Sequence, residues 1–310
     1  MIPKHITRRK LLQASAAFGC LAAAPGSVAA WESESAEPAR SSAVSNPLKP
    51  PAEGSIPVAF LVSEGAVVID FCGPWEVFQD VMIPGHMDMA FQLFTVSEKA
   101  DAIKVSGGMK ITPNYTFENA PAAKVVVIPA QSSPSDATLD WVRKSAKSAD
   151  VVMSVCTGAY LLAQTGLLAG KAATTHHGSY IDFAKKFPDI HVRRGARFVE
   201  DGNLASAGGL SSGIDLALRV VERYYGRELA KQIAYDMEYQ GQGWMSPDSN
   251  AVYAKLRTSM GNRPLCVVCS MAIDPASAPQ SVYQGKTYYF CGSDHKSIFD
   301  ASPAEFISAM

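Results

Sequence analysis

The chain is 310 residues long, with 47% hydrophobic and 18% charged residues, and its formal net charge is -1. A chain of this length and hydrophobicity can bury a full core, with room for one large domain and a smaller one. The near-zero charge and the lack of long Lys/Arg runs exclude the clustered basic face that nucleic-acid binding normally requires. We therefore expect a small molecule or a metal ion as the partner.

The N-terminus has the three parts of a cleavable signal peptide over residues 1–30. Basic residues at 7–10 (TRRK) precede a short apolar run at 14–24, and small residues follow at 27–30. About a dozen apolar residues are too few to cross a bilayer, so no stable membrane span is expected after processing. The arginine pair resembles the twin-arginine export signal, which predicts a folded protein in the periplasm. An ordinary secretory signal is the alternative.

Residues 31–54 and 243–262 have the composition of linkers. The first segment is rich in Ser, Glu, Pro and Ala and has almost no aliphatic periodicity, so it is expected to be disordered. The second segment is rich in Gly, Ser, Pro and Asn. Together they divide the chain into a main domain at 55–242 and a small C-terminal domain at 263–310.

The main domain alternates short apolar strands with amphipathic helices. Continuous apolar runs, typical of parallel strands buried on both faces, lie at 56–62, 91–96, 125–129 and 151–155. Helical spacing of apolar residues occurs at 69–82, 137–149, 160–168, 214–225 and 228–239. Two alternating segments, 104–117 and 197–207, are predicted to add hairpins to the sheet. This order predicts a doubly wound, mostly parallel α/β sandwich of flavodoxin-like form.

Cys156 lies where a predicted strand turns directly into a predicted helix. Ser154 and Gly158, two positions either side of it, are small, as the tight turn of a nucleophile elbow requires. The N-terminus of the following helix supplies unpaired N–H groups and positive potential, so we expect a lowered thiol pKa and a reactive nucleophile. A buried, inert cysteine is the alternative.

Five motifs follow one another in the main domain: IDFCGPWEVF at 69–78, SVCTG at 154–158, GLLAGKAATTH at 166–176, SAG at 206–208 and IDLA at 214–217. In this order they resemble the ThiJ/PfpI superfamily, and within it the isonitrile hydratase-like branch. The resemblance covers residues 57–239. The series of motifs is specific for the superfamily and much less specific for the reaction.

The resemblance implies roles for four residues around Cys156. Asp70 is expected beside Cys156 as the acid/base partner, because a carboxyl group desolvated beside a thiolate can hold a proton; a helix cap is its alternative. The amides of Thr157 and Ala130 are expected to form an oxyanion hole, although many relatives have Gly-Gly where Ala130 lies. His176 ends a strand and is a candidate substrate contact, with a structural role as its alternative. A homodimer is also expected.

The C-terminal domain carries a cysteine/histidine pattern. Cys266 and Cys269 form a CxxC pair, and Cys291 is followed four residues later by His295. Two short pairs of soft ligands can close around one zinc or copper ion if the segment between them folds back as a hairpin. The segment resembles a YHS domain, a small treble-clef-like metal-binding module, in which relatives usually have cysteine at the position of His295. A disulfide between Cys266 and Cys269 is the alternative.

Three functions are compatible with these features. The first is an isonitrile hydratase-like, cysteine-dependent hydratase or hydrolase that acts on a small carbon-nitrogen or related electrophile and needs no cofactor at Cys156. The second is a periplasmic metal or redox stress protein, with Cys156 as a sensor thiol and the C-terminal module binding a soft metal ion. The third is a non-catalytic ligand-binding domain, since the superfamily also supplies sensory domains.

Overall fold

The structure is a computed structural model that describes residues 45–83, 89–255, 258–261 and 263–308. The signal peptide and most of the first linker lie outside the described residues, so the twin-arginine export and the periplasmic location stay predictions. Within the described ranges, none of the helices has the length and apolar character needed to cross a membrane.

Strands and helices alternate along the main domain. The strands in chain order are β1 (Ile56–Leu61), β2 (Phe91–Ser97), β3 (Ile103–Lys104), β4 (Lys110–Ile111), β5 (Tyr115–Thr116), β6 (Val125–Ile128), β7 (Val151–Val155), β8 (Ala172–Ala173), β9 (His191–Val192), β10 (Phe198–Asp201) and β11 (Leu204–Ala207). The helices are α1 (Val68–Gln79), α2 (Asp136–Ala146), α3 (Gly158–Gln164), α4 (Tyr180–Lys186), α5 (Ser212–Tyr225) and α6 (Arg227–Asp236).

Seven of these strands form the central sheet, in the order β10-β11-β7-β6-β1-β2-β5. All neighbouring pairs are parallel except β10 with β11, which run antiparallel at one edge. β6 and β7 are buried along their whole length, because helices cover both faces of the sheet. The predicted α/β fold with a mostly parallel sheet is confirmed.

Successive residues of β1 point to opposite faces of the sheet, and they divide between two hydrophobic clusters. Phe60 packs with residues of α1 and α5, including Phe78 and Leu216. Leu61 packs on the other face with residues of α2, α3 and α4, including Phe183. This layering brings the carboxyl ends of β1, β6 and β7 to one edge, where doubly wound sheets carry their binding sites.

The two predicted hairpins have different outcomes. Residues 197–207 form a hairpin at the edge of the central sheet, since β10 pairs with β11. Residues 104–117 add no hairpin to the central sheet, because β3 and β4 pair only with each other and β5 joins β2 in parallel. Gly107 and Gly108, both with positive φ, close the turn between β3 and β4 after two residue pairs, which leaves a ribbon too short to extend the sheet.

Parts of both predicted linkers lie against α5. A guanidinium nitrogen of Arg219 donates to the carbonyl oxygen of Ser45 at 2.7 Å. In the second segment Trp244 is buried, and its backbone N–H donates to Asp215 Oδ1 at 2.8 Å. Composition does not reveal such docking, because one or two buried polar contacts leave no hydrophobic periodicity in the sequence.

The C-terminal module has its own elements: β12 (Ser259–Met260), β13 (Arg263–Pro264), β14 (Gln280–Tyr283), β15 (Lys286–Tyr289), α7 (Ser293–Ala301) and α8 (Pro303–Ser308). β14 and β15 form the predicted hairpin between the two ligand pairs. Its hydrophobic cluster is built around Phe290, Phe299 and Phe306, and it includes Ile181 of α4. The module therefore packs directly on the main domain.

Candidate active site and metal cluster

Cys156 occupies a tight turn between β7 and α3. Its φ is 57°, in the left-handed region that few non-glycine residues adopt and that a nucleophile elbow uses. The Cys156 N–H donates to the carbonyl oxygens of Ala207 (3.2 Å) and Gly208 (2.9 Å), which holds the turn against the end of β11. Gly158 has to be glycine, because a Cβ there would lie 2.3 Å from the Ile128 carbonyl oxygen. The structure therefore has the elbow that the sequence predicts.

Asp70 lies in the first turn of α1 and is fully buried. Val67 N–H donates to the Ala130 carbonyl at 2.8 Å, and Ala130 N–H donates back to Asp70 Oδ2 at 3.1 Å. The other carboxylate oxygen, Oδ1, has no hydrogen-bond partner among the described residues. Burial raises the pKa of Asp70 to about 7, although the Ala130 N–H acts in the opposite direction. Asp70 can therefore gain or lose a proton near neutral pH.

The thiol of Cys156 is buried and lies within electrostatic reach of Asp70. Burial raises the pKa of Cys156 to about 11, and the negative charge of Asp70 adds to the shift. The predicted lowering of this pKa is wrong, because desolvation outweighs the Thr157 and Leu210 donors that act in the opposite direction. At neutral pH the thiol holds its proton, so its nucleophilicity depends on a base that takes the proton during the reaction.

The amide donors near the thiol differ from the predicted pair. Thr157 lies next to the thiol as predicted, and its N–H and hydroxyl act to lower the pKa of Cys156. Ala130 N–H is instead committed to Asp70, so Ala130 positions the carboxyl group and does not complete an oxyanion hole. The second N–H that acts to lower this pKa comes from Leu210, in the loop after β11, whose φ is 45°. The sequence signal for this loop was the glycine pair at 208–209, directly after a buried strand.

His176 follows Thr175, whose hydroxyl donates to the Cys156 carbonyl oxygen at 3.0 Å. Its Nδ1 accepts the Gly178 N–H at 3.2 Å, and its ring packs so closely on Gly209 that a Cβ there would be 2.5 Å from His176 Cδ2. Burial lowers the pKa of His176 to about 4, and the neighbouring histidine adds to the shift, so the ring is neutral at physiological pH. Among the described contacts none joins His176 to Asp70 or to the Cys156 thiol, and its predicted contact with substrate stays a prediction.

A cavity of about 280 Å³ opens beside the elbow, next to Thr157 and Gly158. Its other walls come from the loop after β6 and from α3 and α4, and they include Gln131, Ser132, Ser133, Tyr160, Gln164 and Lys186. Its volume is close to the lower end of the range for small-molecule sites. Neither Cys156 nor Asp70 is among the residues that line it, so the cavity adjoins the cysteine site and does not contain the reacting groups.

The four predicted metal ligands meet in the C-terminal module and form what we call the metal cluster: Cys266, Cys269, Cys291 and His295. One ligand atom from each lies within 4.8 Å of every other. The Sγ atoms of Cys269 and Cys291 are 3.7 Å apart. His295 Nδ1 lies 3.5 Å from Cys266 Sγ and 3.0 Å from Cys291 Sγ.

The metal cluster has the dimensions of a tetrahedral soft-metal site. Metal–sulfur bonds of about 2.3 Å at tetrahedral angles place the ligand atoms about 3.8 Å apart, so the observed separations fit one ion with small adjustments. The described cysteines are all free thiols, so the alternative Cys266–Cys269 disulfide is not present. The assignment of the module to the YHS and treble-clef type stays a prediction.

An α/β sandwich with a cysteine elbow beside a buried carboxyl group defines a class of cysteine-dependent proteins. The model of the DJ-1/PfpI family matches residues 57–223, and the chain belongs to this family. Over 190 residues the chain is 32% identical to isonitrile hydratase of Pseudomonas putida, across 60% of this chain and 79% of that protein. A solved ThiJ/PfpI family protein from Pseudomonas syringae superposes with a TM-score of 0.53 at 27% identity, across 61% of this chain and 77% of that one.

Regulators are also among the relatives. The chain is 26% identical over 179 residues to the HTH-type transcriptional regulator CdhR of Pseudomonas aeruginosa, across 56% of this chain and 52% of that protein. The predicted superfamily is confirmed. Because a hydratase and a regulator both match, membership of the family alone does not decide the activity, which depends on the chemistry of the site.

Proposed function

We propose that this protein is a cysteine-dependent hydratase that adds water to a small carbon-nitrogen electrophile, with isonitriles as the substrate class. The observation that carries the proposal is the buried pair of Asp70 and Cys156, in which both pKa values are raised. Such a pair holds a transferable proton away from water, which suits addition to an uncharged multiple bond. The similarity to isonitrile hydratase supports the same substrate class.

In the first step Asp70 acts as a base and then as an acid. Its carboxylate takes the proton of the Cys156 thiol while the sulfur forms a bond to the terminal carbon of the isonitrile. Protonated Asp70 then gives that proton to the same carbon, so a thioimidate forms and the carboxylate is restored. The N–H groups of Thr157 and Leu210 stabilise the thiolate that develops during the transfer.

In the second step water adds to the thioimidate carbon, and the carbon–sulfur bond breaks. One proton of the water goes to the substrate nitrogen and the other returns to the sulfur of Cys156, so the products are an N-substituted formamide and the free thiol. Asp70 carries the protons in this step as well. Its Oδ1 is available for the task, because Oδ2 is held by Ala130 N–H.

The test is turnover of a panel of small isonitriles and amides by the full chain, with the product identified by mass spectrometry. Cys156→Ala should abolish turnover and leave the fold intact. Cys72→Ser is the matched control, because Cys72 is a half-buried free thiol on the same helix as Asp70 and takes no part in the proposed steps. Lack of turnover across the isonitriles, or equal turnover by Cys156→Ala, would contradict the proposal.

We also propose that the C-terminal module binds one zinc or copper ion. Three thiolates and one imidazole are soft donors, which suit these ions better than magnesium or calcium. The supporting observation is the convergence of all four donor atoms of the metal cluster. When bound, the ion would tie the CxxC turn to α7, which carries His295, and would add to the folding energy of a module with a small core.

Metal analysis of the full chain, purified under reducing conditions, tests this second proposal. We expect about one ion per chain, and Cys291→Ser should lower the content to near zero because a tetrahedral site loses a thiolate ligand. Cys72→Ser removes a thiol outside the metal cluster and should keep the ion. Equal metal content in Cys291→Ser and the unchanged protein would show that the ion binds elsewhere.

A further inference from the structure

A short segment of chain lies between the cysteine site and the metal cluster. Residues 175–178, which we call the bridging segment, follow β8 and lead toward α4. At one end the Thr175 hydroxyl donates to the Cys156 carbonyl oxygen at 3.0 Å. At the other end Gly178 lies so close to the module that a Cβ there would be 2.7 Å from the Cys269 carbonyl oxygen. The two sites therefore share one segment of four residues.

Within the bridging segment, the His176 ring connects the module side to the loop after β11. Its Nδ1 accepts the Gly178 N–H at 3.2 Å, which fixes the ring relative to the residue in contact with Cys269. The opposite edge of the ring packs on Gly209, where a Cβ would be 2.5 Å from Cδ2. A shift of the ring would therefore require a shift of the loop.

The loop that carries Gly209 holds the nucleophile on two sides. The carbonyl oxygen of Gly208 accepts the Cys156 N–H at 2.9 Å. The N–H of Leu210 also acts on the nucleophile, because it lowers the pKa of the Cys156 thiol. Contacts thus run without a break from Cys269 through the bridging segment and this loop to the backbone of Cys156.

Helix α4 ties the bridging segment to the module a second time. Ile181 packs in the hydrophobic cluster of the module, whereas Phe183 packs in the cluster of the main domain. The Lys185 ammonium lies over the Phe306 ring, 5.0 Å from its centroid. A module with so small a core would take much of its folding energy from an ion bound in the metal cluster, and the ion would then affect how firmly these contacts are held.

We propose that a soft metal ion bound in the metal cluster regulates the reactivity of Cys156 through the bridging segment. The proposal rests on the metal binding proposed above. With the ion bound, Cys269 is fixed, its carbonyl group holds the bridging segment, and the Leu210 N–H stays on the thiol. Without the ion the module loosens, the loop after β11 gains freedom, and the thiolate loses a hydrogen-bond donor.

The test is the alkylation rate of Cys156 by iodoacetamide in the full chain, followed by mass spectrometry of the peptide that contains it. One sample is loaded with an equivalent of zinc and the other is stripped with a chelator. Loss of a hydrogen bond to a charged group raises a thiol pKa by about one unit, so zinc-loaded protein should react about tenfold faster at mildly alkaline pH.

Three variants separate the coupling from metal binding. Gly178→Ala places a methyl group against the Cys269 carbonyl oxygen and should remove the tenfold difference. His176→Ala removes the connecting ring without adding bulk and should remove the difference while zinc still binds. Gly292→Ala is the matched control in the module, because a methyl group there meets nothing within 4 Å, and it should keep the difference.

Equal alkylation rates in zinc-loaded and stripped protein would overturn the proposal. A protein that binds no zinc would overturn it as well, as would a tenfold difference that survives in His176→Ala. The readout needs no substrate, so its failure is distinct from failure of the hydratase proposal. If isonitriles turn over at a rate independent of zinc and the alkylation rates are equal, the hydratase proposal is supported and the coupling is refuted. If alkylation depends on zinc and no isonitrile turns over, the coupling is supported and the hydratase proposal is refuted.

Discussion

Replacing Asp70 with asparagine should stabilise the fold at alkaline pH although it removes the proton carrier. Asp70 is fully buried, and burial raises its pKa from 3.8 to about 7. Because this pKa is higher in the folded chain than in the unfolded chain, the stability it contributes is complete below pH 3.8 and is lost as the pH rises through about 7. The shift corresponds to a cost of about 4 kcal/mol for the ionised carboxylate at pH 8.

Asparagine keeps an acceptor for the Ala130 N–H and carries no charge, so it should recover most of this cost. The assay is urea unfolding of both proteins at pH 4 and pH 8. The gain in unfolding free energy of Asp70→Asn over the unchanged protein should be about 4 kcal/mol larger at pH 8 than at pH 4. Turnover should fall on the order of a hundredfold or more. A gain that does not depend on pH, or a variant less stable at pH 8, would refute the assignment of a buried, costly carboxylate.

Other variants test the remaining features of the chain. Alkylation of Cys156 should titrate well above the pKa of about 8.5 of a free thiol, and Asp70→Asn should lower its apparent pKa by about one unit; an apparent pKa at or below 8.5 would contradict the raised value. Gly158→Ala should lower the melting temperature sharply, because its methyl group would lie 2.3 Å from a carbonyl oxygen at the end of β6; an unchanged melting curve would contradict that contact. Changing Arg8 and Arg9 to lysine should leave precursor in the cytoplasm on fractionation, whereas normal export would indicate an ordinary secretory signal.

The strands and the elbow were predictable because their causes are local. A strand such as β7, covered on both faces, is apolar at four of its five positions, and this pattern can be recognised in the sequence. The elbow places a small residue two positions after the nucleophile, and Gly158 satisfies that requirement where a side chain would strike the neighbouring strand. Both features depend on residues within a few positions of one another.

The electrostatics of the site were not predictable in the same way. The expected lowering of the Cys156 pKa came from a local rule about helix N-termini, whereas the raised pKa comes from burial by segments far apart in the chain. The donor assigned to Ala130 failed for a related reason, because Asp70, sixty residues away, accepts that N–H. Leu210 was missed because a backbone amide has no residue-type signature; only the glycine pair before it marked the loop.

Two of the functions inferred from the sequence, a hydratase and a metal or redox stress protein with a sensor thiol, both use Cys156 and differ in the need for a substrate pocket. The close approach of Gly178 to the Cys269 carbonyl group places the metal cluster within a few residues of that thiol. A thiol with a raised pKa reacts slowly until a base or a hydrogen-bond donor favours its thiolate. Asp70 can be the base in each catalytic cycle, and the Leu210 N–H is a donor whose position the module can influence. A catalytic thiol and a metal-responsive thiol can therefore be the same sulfur atom.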